Sequence, residues 1–358
     1  MAFFDRDAHV QFFAGFLVRG LSADYLGQEC NTLSLAYFAI SALDILNALN
    51  QIPTGEIVDW VYSLQVLPLK ELDEYAEKDL RFGFLGSRST YVSRDGVESS
   101  YDGGHLAMTY SALAILKILG DDYSRVSRNA IVRSMRSLQQ PDGRFTPVHL
   151  GAERDSRFLF CAAAICTFLQ DWSGMDVPLA CDYIAKCQSY DGGFGLCPGL
   201  EAHGGATYCA LAALKLIGQS AEKGITGIDF PLLTSWLLQR QAVTGGFQGR
   251  INKAPDTCYA FWVGASLVFL GAYELCDREA LRLSLLSCQS EKGGFSKYPH
   301  DDADMLHSYY GVCGFSLLNE PGLESLCCEL GISARAAGDF GMGSDTVKFS
   351  YLEEETPD

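Results

Sequence analysis

The sequence predicts an all-α fold: an α/α barrel (α6-α6 toroid) of about six helix-pair repeats. Three observations predict it. A glycine motif returns at steps of 49, 53 and 48 residues, an amphipathic segment precedes each copy, and an almost uniformly apolar segment follows each copy. A fixed period of about 20 to 50 residues is the signature of a repeat architecture. A helix that is apolar on every side has to be covered on every side, which places it in an inner ring surrounded by an outer one.

The repeated motif reads Gln-x-x-x-Gly-x-Phe and occupies residues 139–145, 188–194, 241–247 and 289–295. A glycine shortly after a helical segment predicts a helix C-cap and a turn at each copy. The amphipathic segments before the motifs predict the outer helices, at 132–138, 180–187, 232–240 and 281–288.

The apolar segments predict the inner helices, at 33–46, 105–120, 157–169, 206–218, 258–271 and 307–318. A solenoid would also repeat, but solenoid helices are usually amphipathic, so a closed ring is favoured. No alternation of apolar and polar residues predicts a strand. We therefore expect one barrel domain over residues 1–345 and an acidic, disordered tail over residues 346–358.

Charge excludes some partners. The chain has 27 Lys and Arg against 44 Asp and Glu, a formal net charge of −17. Such a surface repels nucleic-acid phosphates and anionic membranes, so no nucleic acid is expected as a partner. The acidic excess fits solubility, and a basic partner or substrate is the alternative.

The cysteines indicate a reducing compartment. All thirteen lack a Cys-x-x-Cys partner and most lie in apolar segments, which is typical of reduced thiols in a cytoplasmic protein. Residues 1–7 carry acids where a secretory signal needs basic residues. The longest uncharged run, 257–273, is shorter than the roughly 20 residues of a membrane span. We expect a cytoplasmic chain with no membrane span.

Polar residues gather where the inner helices begin. Shifting His203 by steps of 53 and 48 residues gives Asp256 and Asp304, which assigns all three to one end of the barrel. Asp256, Cys258 and His307 offer a carboxylate, a thiol and an imidazole at that end. Three such ligands leave the fourth position of a zinc ion open, as in catalytic zinc sites. A helix N-cap, a buried cysteine and a hydrogen-bonded histidine would explain the same residues without a metal.

Basic side chains are scarce but cluster near this end. Arg250 and Lys253 precede Asp256, while His203 and Lys297 take the corresponding positions one repeat earlier and one repeat later. Four potential cations around one opening indicate an anion site, most simply for a phosphate or diphosphate. Ordinary solvated loop residues are the alternative.

Four strings in this part of the chain resemble the β subunits of protein prenyltransferases. They are Glu-x-His-Gly-Gly at 201–205, Gly-Gly-Phe-Gln-Gly-Arg-x-Asn-Lys at 245–253, Asp-x-Cys-Tyr-x-Phe-Trp at 256–262 and Leu-His-x-Tyr at 306–309. The resemblance extends from about residue 6 to residue 320. It implies an α/α barrel, an obligate heterodimer with an α subunit, and transfer of an isoprenoid from its diphosphate to a cysteine thiol of a protein.

The resemblance also implies roles for individual residues. Its zinc ligands match Asp256, Cys258 and His307, with one zinc ion per β subunit and the open position filled by the substrate thiol. Its diphosphate-binding residues match His203, Arg250, Lys253 and Tyr259, to which a lysine of the α subunit is added. Its isoprenoid-lining positions match Cys209 and Trp262.

The family has three subfamilies: farnesyltransferases, type I geranylgeranyltransferases and the Rab-specific type II geranylgeranyltransferases. Two positions of this sequence resemble the type I enzyme. Ser34 matches a tryptophan that shortens the cavity of farnesyltransferases, so a twenty-carbon chain is implied. Lys297 matches an aspartate that, in farnesyltransferases, binds a magnesium ion at the diphosphate. The resemblance therefore implies that the Lys297 ammonium takes this catalytic role in place of the ion and that magnesium is not required. The positions around the peptide C-terminus match His105, Ala107, Arg157 and Phe158.

The implied reaction transfers a geranylgeranyl group from geranylgeranyl diphosphate to the cysteine of C-terminal CaaX motifs ending in leucine, as found in small GTPases. A farnesyltransferase β subunit is the main alternative. A Rab geranylgeranyltransferase β subunit, a triterpene cyclase and a non-catalytic α/α scaffold are more remote. A triterpene cyclase would need an Asp-x-Asp-Asp acid, whereas residues 301–304 read Asp-Asp-Ala-Asp.

Overall fold

Helices dominate the computed structural model, which describes residues 3–20, 23–67, 81–90, 103–149, 153, 155–218 and 227–341. In these ranges the α-helices are α1 (Arg6–Arg19), α2 (Thr32–Ile45), α3 (Thr54–Ser63), α4 (Leu106–Ile118), α5 (Arg128–Leu138), α6 (Ser156–Leu169), α7 (Val177–Lys186), α8 (Gly204–Gly218), α9 (Phe230–Leu238), α10 (Tyr259–Phe269), α11 (Arg278–Ser287), α12 (Met305–Leu317) and α13 (Ala334–Ala337). Short 3₁₀ helices span Ala23–Asn31, Leu49–Gln51, Arg88–Thr90, Tyr273–Leu275 and Gly338–Gly341. The predicted helical class is confirmed.

The even-numbered helices from α2 to α12 form a closed inner ring. Each packs against the next, and α12 packs against α2. They are covered on all sides, as their composition predicts: Ala112, Leu113 and Ala114 are three consecutive, fully buried residues of α4. The odd-numbered helices from α1 to α11 lie outside, each against an inner helix. The predicted barrel of six helix pairs is therefore confirmed for the part of the chain that the structure describes.

The glycine motif forms a turn between helices, and the prediction of a helix C-cap at its glycine is wrong. Helix α5 ends at Leu138, well before Gly143, which has a φ of +98°. Gln139 and Phe145 pair across the turn as an isolated β-bridge. A Cβ atom on Gly143 would lie 2.1 Å from the carbonyl oxygen of Leu179 on α7. The glycine is needed both for its backbone angle and for close contact with the next outer helix.

The glutamine of the motif fastens that next outer helix. Gln241 donates from Nε2 to the carbonyl oxygen of Asp277 at 2.8 Å, and the Asp277 N–H donates to Gln241 Oε1 at 2.9 Å. The same pairing joins Gln139 to Asp176 and Gln188 to Asp229. In the last copy, Gln289 Oε1 accepts from the N–H of Asp5, the N-cap of α1, at 3.1 Å. This bond joins the first helix to the last repeat.

Short strands occur although none is predicted. In the described ranges they are three antiparallel pairs: β1 (Gln65–Val66) with β2 (Gly83–Phe84), β3 (Phe295–Ser296) with β4 (Ala303–Asp304), and β5 (Leu326–Cys327) with β6 (Ile332–Ser333). Two residues are too few to show an alternating pattern. Phe295 pairs with Asp304, which fixes the start of α12.

The predicted acidic tail, residues 346–358, lies outside the described residues, and the boundary at residue 345 stays a prediction. No helix in the described ranges is both long enough and apolar enough to cross a membrane.

Candidate active site

The structure brings Asp256, Cys258 and His307 together at the end of the barrel where the inner helices begin. One potential ligand atom from each residue lies within 4.8 Å of the other two. Cys258 is the N-cap residue of α10, and His307 lies in the first turn of α12. The cluster therefore joins two neighbouring inner helices.

Hydrogen bonds to the backbone hold the start of α10 in place. Asp256 Oδ1 accepts from the Cys258 N–H at 3.0 Å. The buried Thr257 donates its hydroxyl to the carbonyl oxygen of Ser296 at 2.7 Å and its N–H to that of Lys297 at 3.2 Å. The strand β3 and Lys297, the residue after it, thus fix the position of Asp256 and Cys258 just before α10.

Asp304 completes the cluster and was not predicted as a site residue. Its Oδ1 accepts from the His307 N–H at 2.9 Å and so caps α12, while its Oδ2 lies 2.6 Å from His307 Nδ1. The other ring nitrogen, His307 Nε2, lies 3.2 Å from Asp256 Oδ1. An acid three residues before a histidine at a helix start is a signal that could have found it, because an N-cap side chain reaches the third helical residue.

Burial and the two carboxylates set the protonation of the cluster. Burial lowers the pKa of His307, but hydrogen bonds to Asp256 and Asp304 together outweigh it and raise that pKa to about 9. Burial raises the pKa of Asp256, but the bonds with His307 and Cys258 outweigh it, so this pKa falls below its usual value. Burial raises the pKa of Cys258 well above its usual value. In the absence of a metal the cluster is a carboxylate, an imidazolium and a neutral thiol.

These donors fit a zinc ion. Carboxylate oxygen, cysteine sulfur and imidazole nitrogen are all zinc ligands, and three protein ligands leave one position open. The contact of His307 Nδ1 with Asp304 at 2.6 Å is the arrangement that orients metal-binding histidines. A cation held here would replace the protons of Cys258 and His307. It would also stabilise the Cys258 thiolate, which burial and the neighbouring Asp256 carboxylate disfavour when no cation is bound.

His203 and Tyr259, two predicted diphosphate residues, lie together at this end. The Tyr259 hydroxyl is 3.0 Å from His203 Nε2, and His203 Nδ1 accepts from the Gly205 N–H at 3.0 Å. Burial, aided by the charge of Arg250, lowers the pKa of His203 below its usual value. His203 is therefore a neutral hydrogen-bonding group at pH 7 in the described structure, and its role as one of four potential cations at a diphosphate stays a prediction.

The basic residues of this end face carboxylates. Arg250 Nη1 lies 3.3 Å from Glu201 Oε2, and Lys297 Nζ lies 3.8 Å from Asp256 Oδ2. Burial lowers the pKa of Lys297, but the Asp256 charge and the Tyr298 hydroxyl together outweigh it and raise that pKa, so the side chain is an ammonium at neutral pH. Lys253 is exposed. The structure thus brings Lys297 to the cluster and leaves Lys253 in solvent.

The four predicted peptide-binding residues are neighbours across α4 and α6. The rings of His105 and Phe158 meet edge to face with centroids 5.9 Å apart, and His105 Nδ1 accepts from the Ala107 N–H at 3.1 Å. Burial lowers the pKa of His105 to about 4, so this histidine is neutral. Arg157 Nη2 lies 2.7 Å from Asp155 Oδ2. The Arg157 charge is already compensated within the chain.

Aromatic rings line the interior of the ring of helices. Trp262 is half-buried and lies 4.4 Å from Tyr310 and 4.9 Å from Tyr208, measured between ring centroids. Cys209, beside Tyr208, is buried. Ser34 on α2 is half-buried although it belongs to an inner helix. The two tyrosines were not predicted as lining residues, because in an apolar helix they are indistinguishable from core.

Comparisons with known proteins agree with this architecture. The model of the prenyltransferase alpha-alpha toroid domain matches residues 4–332. The geranylgeranyl transferase type-1 subunit beta of Arabidopsis thaliana is 49% identical over 93% of this chain and 90% of its own length. That of Dictyostelium discoideum is 40% identical over 90% of this chain and 93% of its own length. The solved structure of Candida albicans protein geranylgeranyltransferase-I complexed with GGPP has a TM-score of 0.81 at 23% identity, covering 97% of this chain and 100% of that chain.

Proposed function

Because the chain belongs to the prenyltransferase alpha-alpha toroid family, we propose that it is the catalytic β subunit of a zinc-dependent type I protein geranylgeranyltransferase. It moves a geranylgeranyl group from geranylgeranyl diphosphate to the cysteine of CaaX sequences that end in leucine. The observation that carries the proposal is the cluster of Asp256, Cys258 and His307 at the mouth of a closed apolar barrel. The 49% identity to a type-1 β subunit supports the type I enzyme over the farnesyltransferase alternative.

Three residues of this chain hold the metal. Asp256, Cys258 and His307 supply its ligands, and Asp304 fixes the ring of His307 through Nδ1. A zinc ion held there would supply a Lewis acid that lowers the pKa of the substrate cysteine, so that a thiolate would be present at neutral pH. The cysteine of the substrate, not Cys258, is the nucleophile.

A second group of residues receives the diphosphate. The hydroxyl of Tyr259 and the neutral ring of His203 offer hydrogen bonds, and Arg250 and Lys297 offer charge. Negative charge grows on the diphosphate as its bond to C1 breaks, and donors already in place stabilise that charge. Lys297 lies beside Asp256, a proposed metal ligand, and this proximity supports the proposal that its ammonium takes the role of a magnesium ion. Lys253, which is exposed, adds a further positive charge to the proposed diphosphate site.

The interior of the barrel binds the lipid. Trp262, Cys209 and Ser34 contribute to its wall, and Tyr208 and Tyr310 extend the aromatic surface. At the mouth, His105, Ala107 and Phe158 form a neutral pocket for the C-terminal leucine of the peptide. Because Arg157 is paired with Asp155, its role is to position neighbouring groups and the peptide terminus rather than to supply a free charge.

The working enzyme is a cytoplasmic heterodimer. The α subunit is an obligate partner, and one of its lysines completes the diphosphate site. The protein substrates are small GTPases with C-terminal CaaX motifs.

Transfer assays on the co-expressed heterodimer test this function. Labelled geranylgeranyl and farnesyl diphosphate are offered with peptides ending in Leu or Ser. We expect the highest kcat/KM for geranylgeranyl diphosphate with the Leu peptide. A preference for farnesyl diphosphate and the Ser peptide would instead establish the farnesyltransferase alternative.

Zinc content tests the ligand assignment. The heterodimer should hold about one zinc ion, and Cys258→Ala and His307→Ala should each lose the metal and turnover while donor binding stays nearly intact. Cys313→Ala is the matched control, because Cys313 is a fully buried cysteine of α12 outside the cluster. Stoichiometric zinc in His307→Ala would overturn the assignment.

A further inference from the structure

Four inner helices point a tyrosine hydroxyl at one short segment near the end of the chain. We call Leu326–Ser333, which contains β5 and β6, the floor segment. Its carbonyl oxygens accept hydrogen bonds from four tyrosines: Tyr208 to Cys328 at 2.7 Å, Tyr110 to Leu330 at 2.8 Å, Tyr37 to Gly331 at 2.6 Å, and Tyr309 also to Gly331. The four rings belong to α8, α4, α2 and α12. Burial raises the pKa of all four tyrosines, so each hydroxyl keeps its proton and can donate.

Three of the four hydroxyls lie close to one glycine, Gly331. The Tyr37 oxygen lies 2.7 Å from that of Tyr110 and 2.9 Å from that of Tyr309. Gly331 has a φ of +64°, and a Cβ atom on it would lie 2.8, 3.0 and 3.3 Å from the hydroxyls of Tyr37, Tyr110 and Tyr309. These distances leave no room for a methyl group unless the rings move.

The floor segment itself is anchored at the far end of the barrel. Arg335, just beyond it on α13, reaches Asp44 Oδ1 at 2.6 Å and the carbonyl oxygen of Ile118 at 2.9 Å. Asp44 is buried near the end of α2 and also accepts from the Ser333 hydroxyl. These bonds fix the floor segment to the ends of α2 and α4. We therefore expect that a side chain added at Gly331 displaces the tyrosine rings rather than the floor segment.

The tyrosine rings in turn contact the half-buried rings of the interior. Phe38 stacks on Tyr309 with centroids 5.2 Å apart, and Trp262 meets Tyr208 at 4.9 Å. Phe38 lies one helical turn beyond Ser34 on α2, on the same face of that helix. The tyrosine layer is thus shared between the floor segment on one side and the predicted lipid wall on the other.

We infer that the floor segment sets the depth of the lipid cavity: its carbonyl oxygens hold four tyrosines at a fixed height, and Gly331 is a specificity-determining position for donor chain length. This inference rests on the proposed function, because it takes the interior of the barrel as the site of the isoprenoid. The floor residues touch neither the metal cluster nor the diphosphate residues in the described structure, so they act by positioning.

The test compares two glycine variants of the heterodimer with farnesyl and geranylgeranyl diphosphate. Gly331→Ala should push the tyrosines toward the cavity and lower the ratio of kcat/KM for the twenty-carbon over the fifteen-carbon donor by about tenfold or more, the size expected for a small misfit in an apolar pocket. Gly271→Ala is the matched control, because Gly271 has a φ of +65° but open space around its Cβ position. Both variants carry the same backbone strain, and only Gly331→Ala should change the ratio.

A rescue variant separates displaced rings from general damage. Tyr37→Phe in the Gly331→Ala background removes the hydroxyl that lies nearest to the new methyl group, at 2.8 Å, and should restore much of the donor ratio. If Gly331→Ala does not fold, Tyr37→Phe alone is measured, and a donor ratio equal to that of the wild type overturns the inference.

The failures are distinguishable. A wild-type heterodimer that transfers neither donor contradicts the proposed function. A heterodimer that transfers both donors with the same ratio in wild type and Gly331→Ala contradicts only the inference about the floor segment. Zinc content should be unchanged in every variant, and a loss of zinc in Gly331→Ala also counts against it.

Discussion

Replacing Lys297 by aspartate should convert this protein into a magnesium-responsive transferase. The Lys297 ammonium lies 3.8 Å from Asp256 Oδ2, beside the proposed metal cluster, where we propose that the leaving diphosphate is neutralised. Lys297→Asp removes this cation and adds an anion that can hold a magnesium ion. Without magnesium the variant should be slow, and with millimolar magnesium it should recover.

The size of the effect follows from Coulomb's law for an ammonium in contact with a diphosphate oxygen. A cation about 4 Å from an anionic oxygen contributes about 1 kcal/mol in water and about 4 kcal/mol at an effective dielectric constant of 20. The Lys297 side chain is 46% exposed, which places its interaction with the diphosphate between these two limits, at about 2 kcal/mol. A loss of that size in the transition state lowers kcat about thirtyfold. KM for the donor should change less, because the charge is needed mainly as the bond to C1 breaks.

The assay is steady-state transfer with and without magnesium, at constant ionic strength. Lys297→Ala isolates the loss of the cation and should stay insensitive to magnesium. Lys292→Asp is the matched control, because it makes the same charge change at an exposed lysine of the preceding turn. A wild-type rate that rises severalfold with magnesium, or a Lys297→Asp variant that ignores it, would refute the reasoning.

Three further outcomes are expected. Ser34→Trp should shift donor preference toward farnesyl diphosphate, because an indole fills about one isoprene unit of the cavity; competition between the two donors measures it, and an unchanged preference would show that length is sensed elsewhere. A bulky residue at Ala107 should raise KM for Leu-ending peptides at constant zinc content, and an equal KM would remove Ala107 from the pocket. Burial lowers the pKa of His9 to about 4, whereas its value in the unfolded chain is about 6.5. Between these two pH values the unfolded chain binds more protons than the folded one. The free energy of unfolding therefore falls as the pH falls through this range, by about 2 kcal/mol at pH 5. His9→Asn, which keeps an acceptor for the Gly294 N–H, should flatten the dependence of the melting temperature between pH 7.5 and pH 5, and identical slopes would contradict this.

The ring of helices was predictable because its cause is periodic. An apolar helix every 48 to 53 residues can be buried on all sides only if helices surround it, and that constraint is visible in the sequence. The repeat step also predicts which residues share an end of the barrel. The ion pair of Glu201 and Arg250 spans 49 residues, whereas the step between these two repeats is 53 residues, so this contact was not available to the same arithmetic.

Other features left no comparable signal. The glycine of each motif looks the same in a helix cap and in a turn, and only the contact of Gly143 with Leu179 decides between them. The floor segment depends on tyrosines such as Tyr37 and Tyr110, whose hydroxyls meet carbonyl groups more than two hundred residues away in sequence. No local pattern encodes such a pairing, because the hydroxyl of a tyrosine does not alter the apolar periodicity of its helix.

The basic side chains at the mouth of the barrel are paired with carboxylates in the described structure. Asp256 faces Lys297 on one side and His307 on the other, and Glu201 faces Arg250. A metal ligated by Asp256, as proposed, would neutralise the charge of this carboxylate, so that the Lys297 ammonium would be available to a phosphate. Coupling of this kind is reciprocal, since any ligand that draws Lys297 away from Asp256 makes that carboxylate a better metal ligand. An acidic protein can therefore form an anion site with few cations, provided that the carboxylates beside those cations are neutralised by another ligand such as a metal ion.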